Sequence, residues 1–320
     1  MMDENKNASD DSSSTTLSAS SYVYIGNKRK KNEDNVFFDG RILNPVNAQK
    51  PFMSDFTGRS HRFFAFAVCD GMGGENAGEL AAYVGVKCFR QWCGKAYRTG
   101  IKSWDKECCD FFREANDRVT QLSKETQGKP GCTCSVIVFE NGTAYFANVG
   151  DSRIYLLRDG LLTQLTTDHT LAEQYGGQRE AGGNALTRYL GFDNSQYDFQ
   201  PSIGIPLRLC PGDVFLLCSD GLTDMLSNET IQSIIQRYCC ISLKKAVEHL
   251  MKAAMHAGGY DNCSIILIRN DSNPEMTVSY SEQEAIRCKK SALSELMHLA
   301  LICLLLIIGI IINLLFYFLS

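Results

Sequence analysis

The chain has 320 residues, with 32 Lys and Arg against 36 Asp and Glu and a formal net charge of -4. Its 44% hydrophobic content excludes a wholly disordered chain. The slightly acidic balance argues against a nucleic-acid-binding protein, because neutralising phosphates needs a clear basic excess. The length fits either two domains or one β-rich domain of about 250 residues.

The first segment, residues 1–21, is rich in Asn, Asp, Ser and Thr. It offers almost no apolar surface, so burial cannot offset the entropy lost on ordering. We therefore predict a disordered N-terminal tail. No basic stretch followed by an apolar run opens the chain, so we expect no secretory signal.

Short apolar runs separated by turn residues follow between residues 22 and 270. Residues 63–68 are apolar on both faces, which predicts a strand in a sheet that is covered on both sides. The dipeptides Asn-Gly at 141–142 and Asp-Gly at 159–160 each separate two short apolar runs and predict hairpins. Further strands are predicted at residues 214–218 and 264–268.

Two pairs of helices interrupt these strands. The first pair is predicted from Asn76 onward and through the apolar stripe from Cys108 to Leu122, and the second follows Ser227 and Ser242. Antiparallel sheets packed together, with helix pairs outside, are expected to form one domain over residues 22–270. Within it, residues 39–62 are interpreted as an insertion and 176–204 as a loop or flap.

The far end of the chain is strongly apolar: residues 299–319 contain only one polar side chain, Asn313. A helix of that length spans about 31 Å, close to the roughly 30 Å of a bilayer core. We predict a linker at 271–295 and a transmembrane helix at 296–319, the alternative being a buried core helix. Basic residues precede this segment and none follow it, so the body of this single-pass protein is expected in the cytoplasm.

The 14 cysteines include no Cys-x-x-Cys pair, which argues against a zinc ribbon or a thioredoxin-like motif. In a reducing compartment disulfides are rare. Most of these cysteines are therefore expected to act as small buried apolar residues.

Four acidic clusters lie where an apolar strand meets turn residues, at 32–35, 70–74, 219–222 and 261–262. Any one of them alone is typical of a turn. Four together predict one site, because neighbouring strands bring their ends together. Converging carboxylates repel unless a cation lies among them, and all-oxygen ligands suit Mg²⁺ or Mn²⁺ rather than zinc.

In this order the clusters resemble the PPM (PP2C-type) family of metal-dependent protein serine/threonine phosphatases, together with Gly-Asp-Ser-Arg at 150–153 and Leu-Thr-Thr-Asp-His at 165–169. The resemblance covers residues 22–270. It implies an α/β (α+β) fold, a four-layer α-β-β-α sandwich of two antiparallel sheets flanked by helix pairs. Here a C-terminal transmembrane helix would be added. Met72 after Asp-Gly is typical of the bacterial branch.

The resemblance also implies a site for two Mg²⁺ or Mn²⁺ ions at one edge of the sandwich. Asp70 would bridge both ions, and Glu33 and Asp34 would act largely through metal-bound waters. The implied metal ligands are Glu33, Asp34, Asp70, Gly71 through its carbonyl, Asp220 and Asp261. A third ion is left open, because residues 128–133 lack the acidic residue often present there and the nearest carboxylate is Glu125.

Catalysis is assigned by the resemblance to Arg29, Asp70 and Asp220. Arg29 would bind the substrate phosphate, a role that suits a planar, permanently charged guanidinium. Asn262 would hold the metal ligands in position without binding an ion itself. Metal ions held by these residues would supply an activated water for attack on phosphorus, as the resemblance implies. Because Met72 stands where many members have His, a metal-bound water is expected to protonate the leaving group, with His61 or His169 as weaker candidates.

We therefore expect a membrane-anchored phosphatase with a monomeric catalytic domain that hydrolyses phosphoserine and phosphothreonine. Its partners would be phosphorylated proteins, with a membrane-associated Ser/Thr kinase or its substrates among the candidates. The alternative is a catalytically inactive scaffold of the same fold that binds a partner at the membrane. A calcium sensor is weaker, because no twelve-residue calcium loop with a terminal Glu is present.

Overall fold

The computed structural model describes residues 15–44, 50–73, 77–124, 126, 128–175, 185–192 and 199–272. All of them lie in the first of two units of the chain, residues 1–273. The predicted transmembrane helix, nearly all of the predicted linker, Glu125 and Gly74 lie outside the described residues. None of the helices in the described ranges is long and apolar enough to cross a membrane.

Fifteen strands are present in the described chain. They are β1 (Thr15–Tyr24), β2 (Asn35–Phe38), β3 (Arg41–Ile42), β4 (Phe52–His61), β5 (Phe63–Cys69), β6 (Gly71–Met72), β7 (Gly131–Cys132), β8 (Cys134–Glu140), β9 (Thr143–Val149), β10 (Arg153–Arg158), β11 (Leu161–Gln164), β12 (Ser202–Ile203), β13 (Leu207–Arg208), β14 (Val214–Cys218) and β15 (Cys263–Asn270).

Six helices accompany these strands in the same part of the chain. They are α1 (Ala77–Thr99), α2 (Trp104–Leu122), α3 (Leu171–Gln174), α4 (Asp220–Thr223), α5 (Asn228–Tyr238) and α6 (Leu243–His256). The second pair begins after Ser227 and Ser242, as predicted, and both serines are N-caps. Ser227 Oγ accepts a hydrogen bond from the Thr230 amide, and Ser242 Oγ accepts one from the Lys245 amide.

The strands form two large antiparallel sheets. The first sheet has the order β11-β10-β14-β15-β1-β4, and the second has the order β12-β9-β8-β5-β2-β3, with β13 also paired to β9. The short strands β6 and β7 pair with each other. Asn141 and Asp159, at the predicted hairpin turns, have positive φ values of 50° and 52°, as left-handed turn residues do.

Three buried layers hold the sandwich together. One packs α1 and α2 on the second sheet, with Phe89 and Phe112 fully buried. The middle layer joins the two sheets through side chains such as Phe66 and Phe215. The third packs α4, α5 and α6 on the first sheet around residues such as Leu250. The predicted α-β-β-α arrangement is confirmed.

The predicted disordered tail over residues 1–21 is wrong from Thr15 onward. Residues 15–21 belong to β1, which lies inside the first sheet between β15 and β4. Leu17 and Ala19 enter the core, while the Ser21 hydroxyl donates to the Ser54 carbonyl. Small polar side chains, several of them hydrogen-bonded to other segments, therefore replace the apolar run that is typical of a buried strand.

The prediction of an insertion at 39–62 is also wrong for the second half of that segment. β4 runs through Phe52–His61 and pairs with β1 along most of its length. Its side chains alternate between inward and outward over its first half, where Ser54 is buried, and are all exposed over its second half, because β4 is the edge strand. Most of the segment predicted as a flap, 176–184 and 193–198, lies outside the residues that the structure describes.

Candidate active site

The acidic clusters meet at one edge of the sandwich because the strand registers align their ends. Asn35 pairs with Cys69, so Asp34 and Asp70 leave neighbouring strands side by side. Tyr24 pairs with Cys263, which places the 25–34 loop next to Asp261 and Asn262. The predicted convergence of these clusters is confirmed.

Asp34 joins the two sheets at this edge. It precedes β2 of the second sheet, and its Oδ2 accepts hydrogen bonds from Ser219 Oγ at 2.8 Å, just after β14, and from Ser264 Oγ at 2.7 Å in β15, on the side of the first sheet. Burial raises the pKa of Asp34 to about 7, against the lowering effect of the two hydroxyls. Its Oδ1 is buried without a hydrogen-bond partner.

Asp70 and Asp220 form a partly buried carboxyl pair next to Asp34. Their side chains share a hydrogen bond, and burial raises the pKa of Asp220 to about 6 and that of Asp70 well above its usual range. The neighbouring Asp34 and Asp220 carboxylates raise the pKa of Asp70 further. Two carboxyl groups lie this close only where a proton or a cation offsets their repulsion.

Asp151 is a site residue to which the sequence analysis gave no role. It lies in the turn between β9 and β10, and burial, then repulsion from Asp220, raises its pKa to about 7. Repulsion between Asp151 and Asp70 places both in one electrostatic cluster. The signal was present in the Gly-Asp-Ser-Arg block, whose Asp also follows a strand.

The remaining motif residues hold that turn in place. Arg153 donates to both carboxylate oxygens of Asp168, at 2.6 to 3.0 Å. The Gly150 amide donates to His169 Nδ1, and His169 Nε2 shares a hydrogen bond with Ser202 Oγ. Burial lowers the pKa of His169 to about 4, so its ring is neutral near pH 7 and is not a proton donor to a leaving group.

His61, the other candidate acid, lies at the opposite end of the sandwich. It pairs with Thr15, whereas the site adjoins Tyr24 at the other end of β1. At roughly 3.3 Å per residue the two ends of this strand are about 30 Å apart. The proposed role of His61 is therefore wrong.

Close backbone contacts explain two of the motif glycines. A Cβ on Gly71 would collide with the carbonyl oxygen of Gly78 in the first turn of α1. A Cβ on Gly221 would collide with the carbonyl oxygen of Asn262. The absence of a Cβ at Gly71 thus allows α1 to pack against the site. The absence of one at Gly221 allows Asp220 to lie beside Asp261.

Asn262 fixes the loop that carries Arg29 and Glu33. Its Nδ2 donates to the carbonyls of Ile25 and Lys31, and its Oδ1 accepts from the Glu33 amide at 2.8 Å. One buried side chain therefore satisfies three backbone groups of an irregular loop. This geometry fits the supporting role implied by the resemblance.

Arg29 lies at the mouth of the site and is half exposed. Its Nη2 donates to Asp261 Oδ2 at 2.6 Å, and its Nη1 lies 3.8 Å from Glu33 Oε2. The hydrogen bond to Asp261 raises the pKa of Arg29. Lys28 and Lys30 on either side are exposed, so the rim is positively charged while the floor is acidic.

The donor set fits hard divalent cations. No group of three or more Asp, Glu, His or Cys side chains in the described ranges already surrounds a common metal position. However, Asp34 Oδ1 and Asp220 Oδ1 are buried without partners. Unpaired buried carboxylate oxygens are costly unless a cation engages them, and oxygen ligands suit Mg²⁺ and Mn²⁺.

Comparison with known proteins identifies the family. The profile of the protein phosphatase 2C family matches residues 53–285. The chain belongs to the protein phosphatase 2C family. Protein phosphatase PhpP of Streptococcus pneumoniae is 30% identical over 257 residues, which cover 76% of this chain and 94% of PhpP.

Solved structures agree with this family assignment. The serine/threonine phosphatase PstP/Ppp of Mycobacterium tuberculosis superposes with a TM-score of 0.64 at 26% identity, covering 80% of this chain and 99% of that one. The catalytic domain of PstP in complex with two manganese ions gives a TM-score of 0.63 at 26% identity, covering 79% and 98%. The chain is therefore a metal-dependent protein serine/threonine phosphatase of the 2C type.

Proposed function

We propose that this phosphatase hydrolyses phosphoserine and phosphothreonine at a two-metal site and is anchored in a membrane with its catalytic domain in the cytoplasm. The main support for the metal site is the convergence of Asp34, Asp70 and Asp220 at one edge of the sandwich. Two of their oxygens, Asp34 Oδ1 and Asp220 Oδ1, are buried without hydrogen-bond partners. The two manganese ions bound by PstP support the metal count.

The ligands would divide between the two sheets. Asp70 follows β5 of the second sheet, and the Gly71 carbonyl belongs to the short strand β6 next to it, whereas Asp220 follows β14 and Asp261 precedes β15 of the first sheet. Glu33 and Asp34 line the same edge from the 25–34 loop. Bound Mg²⁺ or Mn²⁺ supplies Lewis-acid activation of water and of phosphate oxygens.

Arg29 would orient the substrate. Its guanidinium is held by Asp261 and Glu33 and is half exposed, so it can turn part of its planar fork to a phosphate. Lys28 and Lys30 add positive charge at the rim and favour the approach of anionic substrates. Because neither His61 nor His169 is available as an acid, water at the site would protonate the leaving alkoxide.

Matched phosphopeptides test the substrate class. With Mn²⁺ present, we expect release of phosphate from phosphoserine and phosphothreonine peptides, and at least about tenfold slower release from the phosphotyrosine peptide of the same sequence. An Arg29→Ala variant should raise KM more than it lowers kcat, because it removes binding of the phosphate. Absence of hydrolysis of all three peptides would support the scaffold alternative and contradict the proposal.

Membrane anchoring rests on the apolar residues 299–319, which lie outside the described ranges. We expect the full chain to sediment with membranes and to resist extraction by high salt. A Leu306→Arg, Ile310→Arg variant should become soluble, since each Arg costs about 2.5–3.5 kcal/mol at the centre of a span. Ser291→Arg with Ser294→Arg is the matched control and should stay in the pellet. A soluble full-length chain contradicts the anchor.

A further inference from the structure

Helix α1 exposes a basic surface that the phosphatase reaction does not use. After Glu79 in its first turn, the helix contains no acidic residue but carries Lys87, Arg90, Lys95 and Arg98. Their spacing of three to five residues places all four on one side of the helix. We call these four residues the α1 basic face.

The α1 basic face is not neutralised by its surroundings. No ion pair in the described chain involves any of its four residues, whereas on the neighbouring α2 Arg113 pairs with Asp110 and Arg118 pairs with Glu114. Lys87 does lie over the ring of Tyr83, at 5.9 Å from its centroid. All four residues are exposed, so their charge is available to a partner.

The shape of the α1 basic face allows it to contact a partner with an extended anionic surface. The four side chains, with Gln91 and Gly94, line a shallow groove of about 470 Å³. The face extends about 16 Å along a rigid helix. Tyr97, 65% exposed, lies in the same helical turn as Lys95 and Arg98 and supplies a ring of the type that sits at bilayer interfaces.

We propose that the α1 basic face binds the anionic headgroups of a lipid bilayer. The proposal draws on the proposed anchor, because an anchored chain meets the bilayer at a high effective concentration. The cytoplasmic leaflet is negatively charged and attracts clustered Lys and Arg. The face also lies about 13 to 30 Å along α1 from Gly78, which adjoins the site, so lipid contact leaves the site open.

Vesicle binding of a chain that ends at residue 272 tests this surface without the anchor. Such a chain retains every described strand, and the solved relatives show that the matched domain folds alone. We expect binding to vesicles of phosphatidylcholine with phosphatidylglycerol, none to phosphatidylcholine alone, and release by high salt. Replacing all four basic-face residues by Gln should weaken binding about a hundredfold or more.

A control variant with the same change in net charge distinguishes binding by the α1 basic face from a general effect of net charge. Arg237, Lys244, Lys245 and Lys252 lie exposed on the opposite helix layer, and their replacement by Gln should leave vesicle binding within about threefold of the unaltered chain. Hydrolysis of a soluble phosphopeptide should be unchanged in both variants. Failure of the phosphatase proposal would appear in that assay and not in vesicle binding.

Three results would overturn the proposal. The unaltered chain could fail to bind anionic vesicles, or the two quadruple variants could lose binding equally. Alternatively, poly-glutamate could bind the α1 basic face as tightly as the vesicles and displace them, in which case the partner is an acidic protein segment.

Discussion

Among single residues, Asp34 and Asn262 hold the candidate site in position. Asp34 links the two sheets through two serine hydroxyls, and Asn262 holds the loop that carries Arg29 and Glu33. Neither residue needs to touch substrate in order to matter. Both are buried polar residues whose hydrogen bonds hold neighbouring segments in place, so their loss would displace the residues that do touch substrate.

Replacing Asn262 by Ala should impair activity more than stability. The change leaves two carbonyls and one amide of the 25–34 loop without their partner, so Arg29 and Glu33 lose their positions. Losing a residue that supports ligands typically costs about 10- to 100-fold in activity or metal affinity. The measurements are kcat, KM and the Mn²⁺ dependence of the rate.

Asn270→Ala is the matched control for that experiment. Asn270 is equally buried, lies at the other end of β15 and donates to the Cys210 carbonyl. We expect a similar loss of thermal stability and a change in kcat below about twofold. Equal losses of activity in the two variants would count against a positioning role for Asn262.

Most of the candidate site could be predicted from the sequence, because its carboxylates stand where strands meet turns. Asp70, Asp220 and Asp261 were found in this way, and the structure brings them together. Asp151 received no role, because Asp in a tight turn is also explained by backbone preference. Only the register of β10 and β14 shows that its side chain shares the cluster of Asp220.

At the scale of elements, β1 is the main difference between the predicted and the observed fold. Its sequence, TTLSASSYVY, contains few large apolar residues. It is nevertheless buried, because small hydroxyl side chains replace apolar ones and several of them find partners: Thr15 Oγ1 accepts from the Gly142 amide, and Ser18 Oγ donates to Asp271. Such partners lie far away in sequence, so no local pattern reveals them.

Truncation separates the two descriptions of the N-terminus. A chain that begins at Thr15 should keep its thermal stability, whereas one that begins at Tyr22 should fail to fold, because it removes most of a strand between β4 and β15. Leu17→Ala is the milder variant and should cost about 2–5 kcal/mol of unfolding free energy. Equal stability of the two truncated chains would show that β1 is dispensable.

At the scale of the whole molecule, the four layers bring distant parts of the sequence to one edge. Hairpin dipeptides, helix caps and apolar runs allowed these layers to be predicted, since each is a local signal. The pairing of β4 with β1 was not predictable, because edge strands carry mixed side chains. The α1 basic face was given no role, because Lys and Arg on the polar side of an amphipathic helix are also explained by solvation alone.

The proposed metal site is tested by measuring Mn²⁺ binding and phosphoserine hydrolysis together in the unaltered chain, Asp220→Asn and Asp213→Asn. Asp213 is the control: it is buried just before β14, while Asp220 follows that strand. In the unaltered chain, hydrolysis should stop with EDTA and return as Mn²⁺ binds. Asp220→Asn should lose about a hundredfold or more in rate and bind Mn²⁺ more weakly, while Asp213→Asn should retain both. Hydrolysis that persists in EDTA, or is unchanged by Asp220→Asn, would contradict the proposed site.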